Sequence, residues 1–255
     1  MCSDVCSRRC HYYTSLFRRR MPLKSYGSYR RYILLCLLFV LLLKYKSLLS
    51  IKRLHTDHRT STSTRTVYVV RTSSSFYQKR LIYLLQTWIP LVIENVYFVT
   101  DKLLPNISEY RMILTKDTCG PDSHSMKVLC CKTAHDFIIF HRLISKYDWF
   151  CHFDDDQYVN VKNLDQYLST LDPTQPYYIG RTSWSHTVKR SKEPYPHPFW
   201  FATLGAGVCL SKRTVQLLKP YTQTPSQYID GCIEENYYDD IYLGFLLTAY
   251  LNITL

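Results

Sequence analysis

Glycine is scarce in this chain, seven residues in 255, while 46% of the residues are hydrophobic. That balance excludes a compositionally disordered polymer and leaves room for one substantial globular domain plus a tail. No internal repeat is visible, which excludes a repeat array. Acidic residues are nearly missing from one end: residues 1–66 hold only Asp4 and Asp57 against 14 Lys and Arg, whereas residues 67–255 hold 18 of each sign. The net charge of +12 therefore belongs to the tail. The downstream region is neutral, and a nucleic-acid partner loses its main support.

Long hydrophobic runs are also missing, with one short exception. "YILLCLLFVLLL", Tyr32 to Leu43, is uninterrupted and is flanked by Arg30, Arg31, Lys44 and Lys46. Twelve helical residues span about 18 Å, less than the ~30 Å of a hydrocarbon core, but snorkelling lysines and the continuation "SLLSI" extend the run. No small-residue cleavage site follows, which argues against a removed signal peptide. The reading is a basic cytosolic tail over residues 1–31, a transmembrane signal-anchor over 32–51, a stem over 52–66 and a lumenal domain over 67–255. Arginines before the run (Arg8, Arg9, Arg18, Arg19, Arg20) set this orientation.

Beyond the anchor, six cysteines (Cys119, Cys130, Cys131, Cys151, Cys209, Cys232) form an even set, compatible with bridges in an oxidising compartment or with free core thiols. "NIS" at Asn106 and "NIT" at Asn252 are glycosylation sequons.

From "TVYVV" onward the pattern alternates. "NVYFVT", "MIL", "YDWFCHF", "YYIG" and "FWFAT" read as further strands. "QKRLIYLLQTW", ending at Pro90, Thr133 to Lys146, the stretch through Leu164 and Leu168, Thr214 to Leu218 and Ile241 to Tyr250 read as helices. Strand and helix in turn predict an α/β fold around a mostly parallel sheet.

"WFCHFDDDQYV" places Asp154, Asp155 and Asp156 directly behind a buried strand, at the sheet edge where such folds bind ligands. Three adjacent carboxylates repel one another and are costly to desolvate. A bound cation relieves both, and hard oxygen donors suit Mg²⁺ or Mn²⁺ with a diphosphate completing the shell. A second pair, Asp239 and Asp240, opens an apolar helix. It reads either as a cap or as a carboxylate placed to deprotonate an acceptor hydroxyl opposite a leaving group, a geometry that inverts the sugar carbon. Between them, in "FWFATLGAGVCLS", Gly205 and Gly207 allow close backbone approach, and Trp200 and Phe201 offer faces for stacking on a sugar.

Together, "WFCHFDDDQYVN", "FWFATLGAGVC" and "DDIYLGF", preceded by "RLIYLLQTW", "YFVTD" and "CCKTA", resemble the fringe family of Golgi O-fucosylpeptide β1,3-N-acetylglucosaminyltransferases over nearly all of residues 67–250. The resemblance implies a GT-A type nucleotide-sugar fold, Rossmann-like, with UDP-GlcNAc as donor and manganese as cofactor. It implies O-linked fucose on the EGF-like repeats of Notch-type glycoproteins as acceptor. By position, Asp156 matches the metal ligand, Asp155 a donor-sugar contact, Arg80 the arginine that meets the donor nucleotide, and Asp240 the general base. Cys151 and Cys209 match one family disulfide; Cys119 matches half of another, with Cys131 or Cys130 as its mate.

Three departures from the family pattern are visible. Leu204 stands where a glycine is usual, which makes a related β1,3-galactosyl- or glucosyltransferase an alternative. "YYDDIYLG" lacks the usual proline before and cysteine after the pair. A metal-ligating histidine belongs to a family segment beyond Leu255, and His152, His186 and His197 do not replace it by position. The first and last of these points motivate a further alternative, a catalytically silent Golgi binding protein.

Overall fold

The computed structural model describes Leu35 and residues 37–40, 64–121 and 123–255. The chain divides into two compact units, Met1–Ser61 and Thr62–Leu255. In the first, Leu35 and residues 37–40 are helical and exposed. Among the described residues no helix is long and apolar enough to cross a membrane; most of the span expected at 32–51 lies outside them, as does nearly all of the tail and stem.

The second unit begins with strand β1 (Thr66–Arg71). A 3₁₀ turn, Ser74–Phe76, and a π turn, Tyr77–Leu81, lead into helix α1 (Ile82–Gln86). Pro90 does not end this helical stretch as expected. It sits in the first turn of a new helix, α2 (Ile89–Val92), where a missing amide proton costs nothing. Then come β2 (Val96–Thr100), β3 (Met112–Leu114), α3 (Lys116–Cys119), and α4 (Met126–Leu143), which starts seven residues before the sequence pattern suggests. β4 (Trp149–Asp154), α5 (Val161–Leu168) and β5 (Tyr178–Gly180) follow. The rest is β6 (Val208–Ser211), α6 (Lys212–Thr222), α7 (Pro225–Glu235), α8 (Asp239–Gly244) and a π turn, Phe245–Tyr250.

The six strands form one sheet in the order β3-β2-β1-β4-β6-β5. β1 pairs in parallel with β2 and β4, and β2 with β3; β6 alone runs against its neighbours β4 and β5. The sheet is therefore mixed but mostly parallel. "FWFAT" is not a strand of it: Phe199 and Ala202 make only isolated bridges, to Val188 and Thr182.

Both faces of the sheet are covered, which is why β1, β2 and β4 read as continuous apolar runs. Period-two alternation divides them. Val67, Val69, Tyr97, Val99 and Phe150 pack in one apolar cluster with α4, α6, α7 and α8. Tyr68, Val70, Phe98, Trp149, Cys151 and Phe153 pack in another with α1, α2 and α5. Each fully buried large side chain contributes about 1.5–3 kcal/mol, and Trp88, Trp149, Tyr68, Tyr97 and Phe98 are all in this class.

Three disulfides are present among the described residues. Cys151 joins Cys209, its register partner across β4 and β6. Cys119 joins Cys131, linking α3 to α4, and Cys130 joins Cys232, linking α4 to α7. His135 lies beside the first α4 bridge, and Cys119, Cys131 and His135 are close enough to suggest a metal cluster. The bridge leaves no thiolate there to bind one. Asn106 and Asn252, the sequon asparagines, are both exposed.

Candidate active site

The carboxyl ends of β1, β2 and β4 meet at one edge of the sheet because these strands are parallel. Each ends in polar residues: Arg71, Thr72 and Ser73; Thr100 and Asp101; Asp154, Asp155 and Asp156. A cleft of about 430 Å³ opens there, lined among others by Arg71, Arg80, Lys132, Asp155, Gly205 and Asp240.

The aspartates of the triplet have different surroundings. Asp154 is the register partner of Arg71. Its Oδ1 accepts from Arg71 Nε at 3.0 Å and from His152 Nε2 at 3.3 Å. Burial pushes the Asp154 carboxyl up, but Arg71 and His152 outweigh it and hold it below the usual carboxylate range. Asp155 is buried; it accepts from Thr72 Oγ1 at 2.7 Å and from Arg80 Nη1 at 3.4 Å. Burial wins there, and its carboxyl is raised. Asp156 is half exposed, with Arg80 Nη1 at 3.4 Å and Gln157 Nε2 at 3.2 Å.

Beneath the triplet, His152 faces α4, and its Nδ1 lies 2.6 Å from Asp136 Oδ2. Burial would lower the imidazole, but Asp136 raises it to about 9, so His152 is a buried cation at neutral pH. It serves structure, like a core histidine, and does not point to a metal.

The second carboxylate pair is also divided. Asp239 is buried, and its Oδ2 accepts from Arg71 Nη1 at 2.7 Å and Thr133 Oγ1 at 2.8 Å. Among the described residues Asp240 has only Ile241 N, at 2.8 Å, on its carboxylate, and it lines the cleft. Burial first, then the neighbouring Asp239, raises it to about 6. A carboxylate with this affinity for a proton is suited to accept one near neutral pH.

Of the residues singled out in the sequence, Arg80, Asp155, Phe201, Gly205 and Asp240 line this one cleft, and Asp156 joins it through Arg80. Trp200 and Gly207 do not. Trp200 is exposed and faces a separate concavity with Pro198, Thr248 and Leu255. Gly207 has φ +88°, and a Cβ there would meet the Phe153 ring at 2.6 Å, so its need for glycine is internal packing. Leu204 is 3% exposed, belongs to the apolar cluster and contributes to the cleft lining. Gly244, in "DDIYLGF", lets α8 press against the Phe201 backbone, which a Cβ would strike at 2.8 Å.

Sequence reasoning missed Arg71, Lys132 and Trp184. Arg71 closes an apolar strand, but nothing local shows that it turns inward to Asp239. Trp184 lines the cleft edge-on to Phe201, with ring centroids 5.1 Å apart.

The donor set fits a hard divalent cation. Asp156 presents carboxylate oxygens at the cleft mouth with only long hydrogen bonds to satisfy them among the described residues, and Asp154 Oδ2 faces Gly205, 3.4 Å from where a Cβ would stand. Arg80 and Lys132 add two positive charges to the walls, suited to a diphosphate, whereas Arg71, also in the wall, is engaged by Asp154 and Asp239.

The Fringe family, described as fringe-like, matches residues 62–255. β1,3-N-acetylglucosaminyltransferase manic fringe of Pan troglodytes is 34% identical over 191 residues, 71% of this chain and 57% of the relative. Lunatic fringe of Gallus gallus is 32% identical over 75% of this chain and 53% of the relative. Fringe glycosyltransferase of Drosophila melanogaster is 32% identical over 73% and 46%. The chain thus spans about half the length of the curated relatives it matches. On the family match and these identities, it belongs to the fringe family.

Proposed function

We propose that this chain is an inverting, metal-dependent glycosyltransferase that adds GlcNAc from UDP-GlcNAc in β1,3 linkage to O-linked fucose on EGF-like repeats of Notch-type glycoproteins. It acts in the Golgi lumen, with residues 32–51 as its membrane anchor, 52–66 as stem and 67–255 as catalytic domain. The observation that carries the reading is the split of charge across one cleft. Asp155 and Asp156 stand at the end of β4 with Arg80 against them, and Asp240, raised to about 6, stands at the start of α8.

In this reading Arg80 and Asp155 orient the donor. Asp156 would hold Mn²⁺, which when bound supplies charge neutralisation for the departing diphosphate. Asp240 accepts the proton of the acceptor hydroxyl as that oxygen attacks the sugar carbon from the face opposite UDP. Phe201 and Trp184 form the apolar side of the cleft, suited to the face of a sugar ring.

The test is UDP release by the full chain with UDP-GlcNAc, Mn²⁺ and an O-fucosylated EGF repeat, beside Asp156→Ala and Asp240→Asn. The expected result is release that needs the acceptor and both aspartates. Leu204 makes UDP-Gal and UDP-Glc the necessary parallel donors. Turnover with either and none with UDP-GlcNAc would move the assignment to a related β1,3-transferase, and no turnover with any donor by the folded chain would favour a silent binding protein.

A further inference from the structure

The two carboxylate motifs of the cleft are 83 residues apart in sequence, yet one side chain touches both. Arg71 Nε donates to Asp154 Oδ1 at 3.0 Å, and Arg71 Nη1 donates to Asp239 Oδ2 at 2.7 Å and to Thr133 Oγ1 at 3.0 Å. Thr133 Oγ1 in turn donates to Asp239 Oδ2 at 2.8 Å. The Arg71 side chain is 10% exposed and that of Asp239 6%. With Asp136 and His152, these groups form a connected line of polar contacts running from α4 through β4 and β1 to α8.

α8 needs such a tie. It has six residues before the chain passes into the π turn Phe245–Tyr250, and its N-cap residue Tyr238 provides no side-chain cap. A helix this short is not stable on its own. Its first turn is held instead by Arg71 and Thr133 on the Asp239 side chain, and by Tyr228 Oη donating to the Asp239 carbonyl at 2.6 Å. Successive residues on an α-helix are rotated by about 100°. Anchoring Asp239 inward therefore sets the direction of Asp240.

We propose that Arg71 is a positioning residue: by holding Asp239 against the triplet it fixes the first turn of α8, so that of the two aspartates lining the cleft the Asp239 carboxylate is engaged and that of Asp240 is left toward the acceptor. Its catalytic consequence rests on Asp240 being the proton acceptor; the placement of α8 does not. Burial of the ion pair supports the assignment, because Nε and Nη1 are already engaged by protein carboxylates and the Thr133 hydroxyl rather than offered to the cleft. A guanidinium that bound the diphosphate directly would instead make donor binding depend on it.

The experiment compares the full chain with Arg71→Met, Arg71→Lys, Asp239→Ala and the double variant Arg71→Met/Asp239→Ala. Three quantities are read: amide hydrogen exchange resolved by element, affinity for UDP with Mn²⁺, and kcat and KM for transfer. In Arg71→Met the α8 amides are expected to exchange ~10-fold or more faster while those of β1, β2 and β4 keep their protection. UDP affinity stays within about twofold, and kcat falls ~10–100-fold with both KM values unchanged, the scale of a misplaced reacting group. Arg71→Lys, which keeps the charge and one tie, restores part of the loss. The double variant is no worse than the poorer single one, because both changes cut the same link.

Unchanged α8 exchange in Arg71→Met would overturn the proposal. So would a tenfold loss of UDP affinity, which would make Arg71 a donor contact. Uniform loss of protection across the sheet, with Arg71→Lys no better, would reduce it to a stabilising ion pair. Exchange and UDP binding decide the matter even if no acceptor is turned over; in that case the transferase reading fails and the positioning assignment is judged separately.

Discussion

The triplet at the end of β4 and the pair at the start of α8 are both runs of adjacent aspartates, and both are divided in the same way. In each, the first aspartate is given to the protein: Asp154 to Arg71 and His152, Asp239 to Arg71 and Thr133. A later one is left toward the cleft, Asp156 with long contacts and Asp240 with a single backbone amide. They differ in what surrounds the one left over. Asp156 is half exposed, whereas Asp240 is largely enclosed and is pushed up to about 6. Like charges can gather at the mouth of a core when some are neutralised from below. The remainder are then left solvated in one cluster and desolvated in the other, which suits them to the proposed roles of metal ligand and base.

Asp240→Asn should break this comparison most sharply. Asparagine keeps the size of the side chain and cannot accept the proton, so kcat is expected to fall ~10²–10⁴-fold, the range for loss of a general base. UDP affinity should be unchanged. In the intact chain kcat should fall as pH drops below about 6, because Asp240 then carries its proton; a pH profile of transfer with the donor saturating checks this.

Asp154→Asn should act on the other side of the division. It removes one partner of a buried ion pair, a change that costs about 3–5 kcal/mol when the cation is left alone. Arg71 keeps Asp239, so the lower figure applies. Denaturant unfolding should show a loss of roughly 3 kcal/mol. A loss under 1 kcal/mol would mean that the pair carries little of the fold.

The fold was legible where one kind of residue dominated. "TVYVV", "VYFVT" and "WFCHF" are β-branched and aromatic runs, and strands covered on both faces cannot look otherwise. β6 was hidden because "VCLS" is short and follows glycines, and α7 because only Tyr228 and Cys232 of its 11 residues are fully buried. The capping box of Thr224 and Gln227 marked its start all the same. "FWFAT" misled because its aromatic residues pack without strand pairing. The cleft was legible through its aspartates and Arg80. Arg71 was not, since an arginine at a strand end ordinarily reaches solvent, and its partner Asp239 lies 168 residues away. Contacts of that separation are set by topology and leave no local trace.

The division also predicts opposite signs for stability, and smaller effects. A carboxyl raised to about 6 opposes folding wherever it must ionise in the native state. Above pH 6 Asp240 is charged in both folded and unfolded chains, and the full cost is present. Below pH 4 it is protonated in both, and the cost is gone. Asp240→Asn should therefore stabilise the chain by about 2–3 kcal/mol at pH 8, the equivalent of its shift, with the gain shrinking to nothing by pH 4. Asp156→Ala is the contrast: a half-exposed group with long contacts, its loss should change stability by less than ~0.5 kcal/mol at either pH. Unfolding in the absence of divalent cation reads both. If Asp240→Asn gave no gain at pH 8, the two leftover aspartates would be equivalent, and enclosure would not be what prepares Asp240 to take a proton.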